Sequence, residues 1–263
     1  MSSWMVNVVA GLFVLLALTG LFFFVLTRGA LLVRGFSSTQ NSAKSHVYPL
    51  YSDMWLIKLV DFQPVIAAIL LFQYSTLVSK IVAGLGATSL KNKKVLITSC
   101  AFGNVIPRVV DAAVQSGAEQ VLIADIIRNE LDHAEGKLGQ YAGKVAFVED
   151  NATAMTQQEG CADANVIFFL LHELPHDLKD KALREAGRML APGGKLYLAE
   201  FHRPDVAILR LLSWTYFKVF EPFGLALWDT HDPVKCLNEM GGWTCERQTY
   251  FFGNFQVITA TKH

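Results

Sequence analysis

Charge is scarce in this sequence. Only 17% of its 263 residues are Asp, Glu, Lys or Arg, and 23 basic residues balance 23 acidic ones. A net charge of zero removes the electrostatic case for binding nucleic acid, which needs a basic face. Cysteine is scarce too. Cys100, Cys161, Cys236 and Cys245 make no C-x-x-C pair, which argues against a cysteine zinc site, and a cytoplasmic domain would keep all four reduced. Glycine is short where a nucleotide-binding α/β domain normally concentrates it. The run V-L-I-T-S-C-A-F-G-N, Val95 to Asn104, has the pattern of a first strand and its glycine loop, yet the loop holds one glycine, Gly103. Small residues there let the backbone approach a ligand. Ser99, Cys100, Ala101 and Phe102 fill those places instead, so the pattern is that of a cofactor site rebuilt or abandoned.

What the chain has in quantity is apolar surface. Hydrophobic residues make up 52% of it, and the mean hydropathy is +0.33, which points to membrane contact. The source is local. Met5 to Leu26 holds no charged residue, with Asn7 and Thr19 as its main polar interruptions, and about twenty apolar residues span a bilayer core. Trp4 marks one end, while Arg28 and Arg34 follow the other. The positive-inside rule then predicts one transmembrane helix with the amino terminus outside and the rest of the chain on the cytoplasmic side of the inner membrane. A cleaved signal peptide fits less well, because the basic leader is missing and the apolar run is too long.

Three regions are expected: an anchor over 1–36, a linker with amino-terminal cap helices over 37–92, and an α/β domain over 93–263 with a membrane-facing insertion at 204–245. Within 37–92, the segment Pro64 to Ile81 is too polar after Phe72 to cross a bilayer comfortably; it lies at the interface or caps the core. From Lys93 the pattern alternates. Strands are expected at 95–99, 120–125, 144–149, 165–171 and 195–200, with helices at 106–116, 129–139 and 178–190 between them. Such alternation means a parallel sheet covered on both faces. Two β-rich runs, 248–252 and 255–261, joined by Gly253-Asn254, predict a closing antiparallel hairpin. The aromatic run Val206 to Leu227 lies on the membrane over an apolar substrate or packs as a cap helix; its composition allows both.

This arrangement is that of class I methyltransferases, a Rossmann-like fold, and particular strings narrow the resemblance. R-M-L-A-P-G-G-K-L, Arg188 to Leu196, is common in that fold, and the run Phe168 to Pro204 resembles the quinone-ring methyltransferases of ubiquinone and menaquinone synthesis. The loop S-C-A-F-G-N and the tails E-P-F-G-L-A-L-W and Y-F-F-G-N-F-Q-V resemble the rhodoquinone-biosynthesis proteins, from Tyr48 to the carboxyl terminus. That second resemblance implies S-adenosylmethionine as nitrogen donor, a manganese ion, and replacement of a quinone methoxy group by an amino group. In the fold's pattern Ile97 stands at the place of the first acid, Ser99 and Ala101 at two glycine places, and Gly103 at the third. The resemblance therefore implies that Ser99, Cys100 and Gly103 border the cofactor. It also implies that Asp125 holds the ribose and that Asp150 and Asn151 meet the adenine.

Ligands of open α/β sheets bind at the carboxyl ends of the strands. His172, Glu173 and His202 are the catalytic candidates on that rim, and His176, Asp229 and His231 the candidate metal ligands, a mixed oxygen and imidazole set. The string H-E-L-P-H also fits the H-E-x-x-H zinc-protease pattern, but Pro175 inside it and the strand before it deny it the helix that pattern needs. Each residue has a plainer role available. Asp177 stands where a helix N-cap would, His202 can pair with Glu200 or a backbone carbonyl, Asp232 before Pro233 starts a helix, and Cys100 is a small packing residue. Two functions remain in view. One is a membrane-anchored enzyme modifying a quinone with S-adenosylmethionine, by amino or methyl transfer. The other is an inactive accessory subunit of a photosynthetic or respiratory membrane complex.

Overall fold

The computed structural model describes residues 54–263 and six isolated helical positions before them, Ala10, Gly11, Val14, Ala17, Leu18 and Leu21. The rest of the expected anchor, and the polar linker after it, lie outside the described residues. Among the described residues no single helix is long and apolar enough to cross a membrane; two helices, Gln63–Ile69 and Tyr74–Gly86, reach that length and composition together but are bent by 95°.

Three helices come first: α1 (Met54–Asp61), α2 (Gln63–Ile69) and α3 (Tyr74–Gly86). The bend between α2 and α3 is made by Leu71 and Phe72 at positive φ, 49° and 60°. Beyond it α3 turns Tyr74, Leu77, Val78, Ile81 and Leu85 inward, all essentially inaccessible. That i, i+3, i+4, i+7 spacing is a core stripe. Of the two expected roles for this segment, α3 takes that of a core cap. It lies close against the sheet because Gly84 has no side chain: a Cβ there would sit 2.6 Å from the ring of Tyr197. The Tyr197 hydroxyl donates to the Gly84 carbonyl at 3.0 Å.

The sheet follows: β1 (Lys94–Thr98), α4 (Val105–Gln115), β2 (Gln120–Asp125), α5 (Arg128–Gly136), β3 (Val145–Glu149), β4 (Ala162–Phe168), α6 (His176–Met189) and β5 (Leu190–Phe201). The first five strands pair in parallel. Their short apolar sequences suit strands covered on both faces; all but the first residue of β1 is buried. Then come α7 (Ala207–Phe220), a 3-10 stretch Pro222–Trp228, α8 (Pro233–Met240), β6 (Trp243–Tyr250) and β7 (Phe255–Lys262). The strand order is β3-β2-β1-β4-β5-β7-β6, and only β7 runs against its neighbours. The closing hairpin is present. Its first strand is longer than the sequence pattern indicated and begins at Trp243, because alternating exposed and half-buried residues pair with β7 along their whole length.

Other boundaries moved as well: β5 begins at Leu190 rather than 195, and α5 ends at Gly136 rather than 139. The fourth strand spans 162–168 rather than 165–171, since Phe169 turns to positive φ (55°) and a 3-10 turn, Leu171–Glu173, follows. Helix α6 starts at His176 with Pro175 as its N-cap residue and no capping side chain. Asp177 is therefore not the cap; it stands in the first turn and pairs with Lys181 at 3.4 Å, where an acid still favours the helix dipole. Asp232 does cap α8, accepting from the Lys235 amide.

Candidate active site

The loop after β1 is where the chain departs most from a glycine-rich pattern, and its backbone shows the cost. Ser99 occupies a glycine place with φ +76°, a conformation that costs a residue with a Cβ about 1–2 kcal/mol. It is held there by Asp125, at the end of β2. One oxygen of Asp125 accepts from the Cys100 amide at 2.6 Å and from the Ser99 hydroxyl at 3.3 Å. The other accepts from the Ile127 amide at 2.8 Å. Burial pushes the Asp125 carboxyl up to about 6, although these donors pull it down. Burial also drives the Cys100 thiol far above its ordinary value, with Asp125 and Glu130 adding to it, which disfavours a reactive thiolate there.

The turn after β3 is built by its own side chains. Asp150 accepts from the Asn151 amide and from both donors of Thr156. Asn151 accepts from both donors of Thr153. The acceptor oxygens of this pair shape the turn. Its amide Asp150 N–H donates to the Asp125 carbonyl at 2.9 Å, which sets the turn beside the end of β2.

A polar cluster absent from the sequence reading lies against the same loop. Asp61, the last residue of α1, accepts from the Gly103 amide at 2.7 Å and from Lys137 at 2.5 Å, and pairs with His133 at 3.2 Å. Lys137 also donates to the Gly103 carbonyl. Glu130 lies beside them, 3% exposed; burial, then Asp125, pushes its carboxyl up to about 9. One signal could have exposed this cluster. Glu130, His133 and Lys137 share one face of α5 with the buried Ala134, so polar residues occupy a core stripe. Nothing local marks Asp61. Gly103 must be glycine here: its φ is +83°, and a Cβ would lie 2.6 Å from the Tyr74 ring.

The ends of β4 and β5 hold a buried ion pair. His172 Nδ1 meets Glu200 at 2.9 Å, and Glu200 also accepts from the His172 and Phe201 amides at 3.1 and 2.7 Å. Burial by itself lowers the imidazole pKa, but Glu200, and after it Glu173, raise it to about 9. Glu173 lies 3.8 Å from Nε2. Aromatic rings enclose the pair: Phe169 and Phe201 stand edge-on to His172, and Phe201 continues to Phe217 and Trp228. The turn itself is pinned by Lys179, wholly buried, whose ammonium donates to the Leu171 and Leu174 carbonyls at 2.5 and 2.6 Å.

The remaining candidates go elsewhere. His202 takes the backbone-carbonyl option: Nδ1 meets the Gly253 carbonyl at 2.7 Å and Nε2 lies 3.4 Å from Arg247, which pairs with Asp232. It braces the β6–β7 hairpin. His172 lies in the 3-10 turn and His176 begins α6, so H-E-L-P-H does not form one helix; the His176 ring stacks on His231 at 5.5 Å. Asp229 is exposed and accepts from the Thr230 amide. Thus His176, Asp229 and His231 do not gather as one ligand set. Among the described residues, the group close enough to share an ion is Asp180, His231 and Cys236. A thiol makes that set too soft for manganese.

The residues do fit the adenosine part of S-adenosylmethionine. A buried carboxylate closes β2 about 20 residues after the loop, the position that meets ribose hydroxyls in this sheet architecture. Ile97 leaves the methionine end without the acid usual in the fold.

Solved methyltransferases share this architecture at low identity. An O-methyltransferase family protein from Burkholderia thailandensis superposes with a TM-score of 0.61 and 15% identity, covering 81% of this chain and 61% of that one. A SAM-dependent methyltransferase from Aquifex aeolicus gives 0.52 and 17%, covering 80% and 99%. These likenesses concern the fold. Among sequences, the ubiquinone/menaquinone biosynthesis C-methyltransferase UbiE of Rhizobium johnstonii is 32% identical over 152 residues, 56% of each chain. That of Bartonella quintana is 28% identical over 163 residues, 61% of this chain and 62% of its own. The chain thus spans a little over half the length of these relatives. A profile of the ubiE/COQ5 methyltransferase family matches residues 63–240, from α2 through the Asp125 loop and the His172–Glu200 pair to the end of α8, and the chain belongs to that family.

Proposed function

We propose that this protein is a membrane-anchored, S-adenosylmethionine-dependent transferase acting on the ring of a membrane quinone. The observation that carries the proposal is the placement of two functional groups at the carboxyl ends of the parallel strands, on either side of β1: Asp125, ending β2 beside the β1 loop, and the buried His172–Glu200 pair at β4 and β5, walled by aromatic rings. A cofactor and a flat apolar ring would lie side by side there, so that positioning would supply much of the rate. S-adenosylmethionine supplies an electrophilic methyl group and leaves as a neutral thioether. The nucleophile would be the ring carbon of the reduced, quinol form, which bonds to that methyl carbon as the carbon–sulfur bond breaks; His172, kept cationic by Glu200, would donate to the ring oxygen and hold it as the phenolate that makes the carbon nucleophilic. Glu173 takes the proton released from the ring carbon.

Membrane attachment is part of the proposal. The apolar run 5–26 supplies the anchor, with the amino terminus outside and the domain on the cytoplasmic face of the inner membrane. Helix α7 supplies a second contact. It buries Phe217 in the core but leaves Ile208, Leu211 and Leu212 58–64% exposed, with Trp214 and Val206 beside them. An apolar stripe of this kind suits the acyl boundary of a bilayer from which the quinone would enter.

Amino transfer giving rhodoquinone is the second reading, favoured by the rebuilt loop S-C-A-F-G-N with Ile97 in the acid's place. An accessory role in a photosynthetic or respiratory complex is the third, favoured by the same loop. One experiment separates them. Detergent-purified protein is titrated with S-adenosylmethionine, then incubated with membrane quinones and cofactor labelled in the methyl carbon or in the amino nitrogen. Methyl label in the quinone supports methyl transfer, and nitrogen label supports amino transfer. No cofactor binding, with stoichiometric co-purification of a large complex, supports the accessory role.

A further inference from the structure

Asp180, His231 and Cys236 come from three separate segments: the second turn of α6, the turn before α8, and α8 itself. Their ligand atoms all lie within 4.8 Å of one another. A single oxygen, Asp180 Oδ1, meets both His231 Nδ1 at 3.0 Å and Cys236 Sγ at 3.5 Å. Around a tetrahedral zinc ion, with bonds of about 2.0 Å to nitrogen and oxygen and about 2.3 Å to sulfur, the N–O and S–O edges come to about 3.3 and 3.5 Å. Two of the three edges therefore already stand near the spacing that zinc would impose. His176, one turn before Asp180, stacks its ring on that of His231, and the fourth position of the ion would be left to water.

We propose that Asp180, His231 and Cys236 form a structural zinc site that staples α6 to the insertion between β5 and β6. Thiolate, imidazole and carboxylate together select zinc over manganese or magnesium, which prefer oxygen alone. Two anionic ligands balance the ion's charge. Cys236 is buried and Asp180 and His231 half-buried, so the three ligands are partly shielded and water would complete the tetrahedron. The role follows from the attachment points. Helix α6 begins just after the turn that carries His172, and the insertion carries Phe217 and Trp228 on the opposite wall. The ion would fix the distance between those walls. This inference stands apart from which group the enzyme transfers.

The test uses the full chain in detergent, stripped with a chelator and titrated with cobalt(II) and separately with zinc. One equivalent of cobalt should bind with tetrahedral visible bands and a thiolate-to-cobalt charge-transfer band in the near ultraviolet. Zinc, and not manganese, should displace the cobalt and raise the melting temperature. Cys236→Ser and His231→Ala should each abolish the charge-transfer band and the zinc-dependent rise, while Cys245→Ser should leave both intact. No charge-transfer band in folded protein, or a band that survives Cys236→Ser, overturns the proposal. If one variant fails to fold, the other gives the answer.

Discussion

Replacing Glu200 by Gln removes one charge from the buried pair and little else, since the side chain keeps its shape and can still accept from the Phe201 amide. The consequence is a change in His172. In the native protein its pKa stands at about 9 against an ordinary 6.5, with Glu200 as the main source of the rise. At about 1.4 kcal/mol per pH unit, that difference amounts to about 3 kcal/mol of stability. A histidine whose pKa is raised by folding contributes this stability fully below pH 6.5 and loses it as pH rises through about 9. In Glu200→Gln the burial remains without its counter-charge, so the imidazole pKa falls below 6.5. The variant should be less stable than wild type by about 3 kcal/mol at pH 6, or roughly 6–12 °C in Tm for a chain of this size. The gap should shrink through pH 7–9 and close above it, where the native pair is an unpaired buried carboxylate. Thermal unfolding from pH 6 to 10, with NMR titration of labelled histidine, measures both halves. A stability gap that stays constant across that range, or a His172 titration unchanged by the substitution, would refute the account of a buried imidazolium held by Glu200.

Cofactor binding should weaken in acid. Asp125 titrates at about 6 and must be ionised to accept ribose hydroxyls, so Kd for S-adenosylmethionine should rise roughly tenfold per pH unit below 6; a flat calorimetric profile from pH 4.5 to 7 counts against that role. Lys179→Met should unpin the Leu171–Glu173 turn, leaving the Leu171 carbonyl with the Leu174 amide alone and removing the ammonium from the Leu174 carbonyl, at about 1–3 kcal/mol, and activity should fall further than stability; unchanged hydrogen exchange in the turn would show the pin to be unnecessary. Gly103→Ala should destabilise by roughly 2–3 kcal/mol from its positive φ and its overlap with Tyr74, read by chemical denaturation. Leu211→Glu with Leu212→Glu should leave the melting temperature unchanged and weaken vesicle binding of a chain truncated before residue 37; undiminished binding would assign membrane contact elsewhere.

Much of the fold was legible because sheets covered on both faces need short apolar strands, and helices over them need a single apolar stripe. Those periodicities placed β1, β2, β3, β5 and the closing hairpin, and the acid ending β2 stood out as Asp125. Boundaries failed where a backbone turn had no local cue. Nothing in F-F-L-L-H-E announces that Phe169 goes to positive φ, and so β4 was expected three residues late. Asp177 looked like a cap because acids before helices usually are; Pro175 took the N-cap position, one residue ahead of where α6 begins.

By itself, then, the sequence determined the alternation of elements, the strand that would meet the ribose, the Asp232 cap, the long apolar run near the amino terminus and the near-absence of glycine in the β1 loop. These are properties of neighbours along the chain, set by period, propensity and residue size. Only the tertiary structure decided which polar residues work together. It joined Asp61 to Gly103 across 42 residues and to Lys137 across 76, and paired His172 with Glu200 rather than with His202 or His176. It also brought Asp180, His231 and Cys236 to a common point. Buried charges must find partners wherever the packing of helices on the sheet delivers them, and no sequence spacing records that delivery.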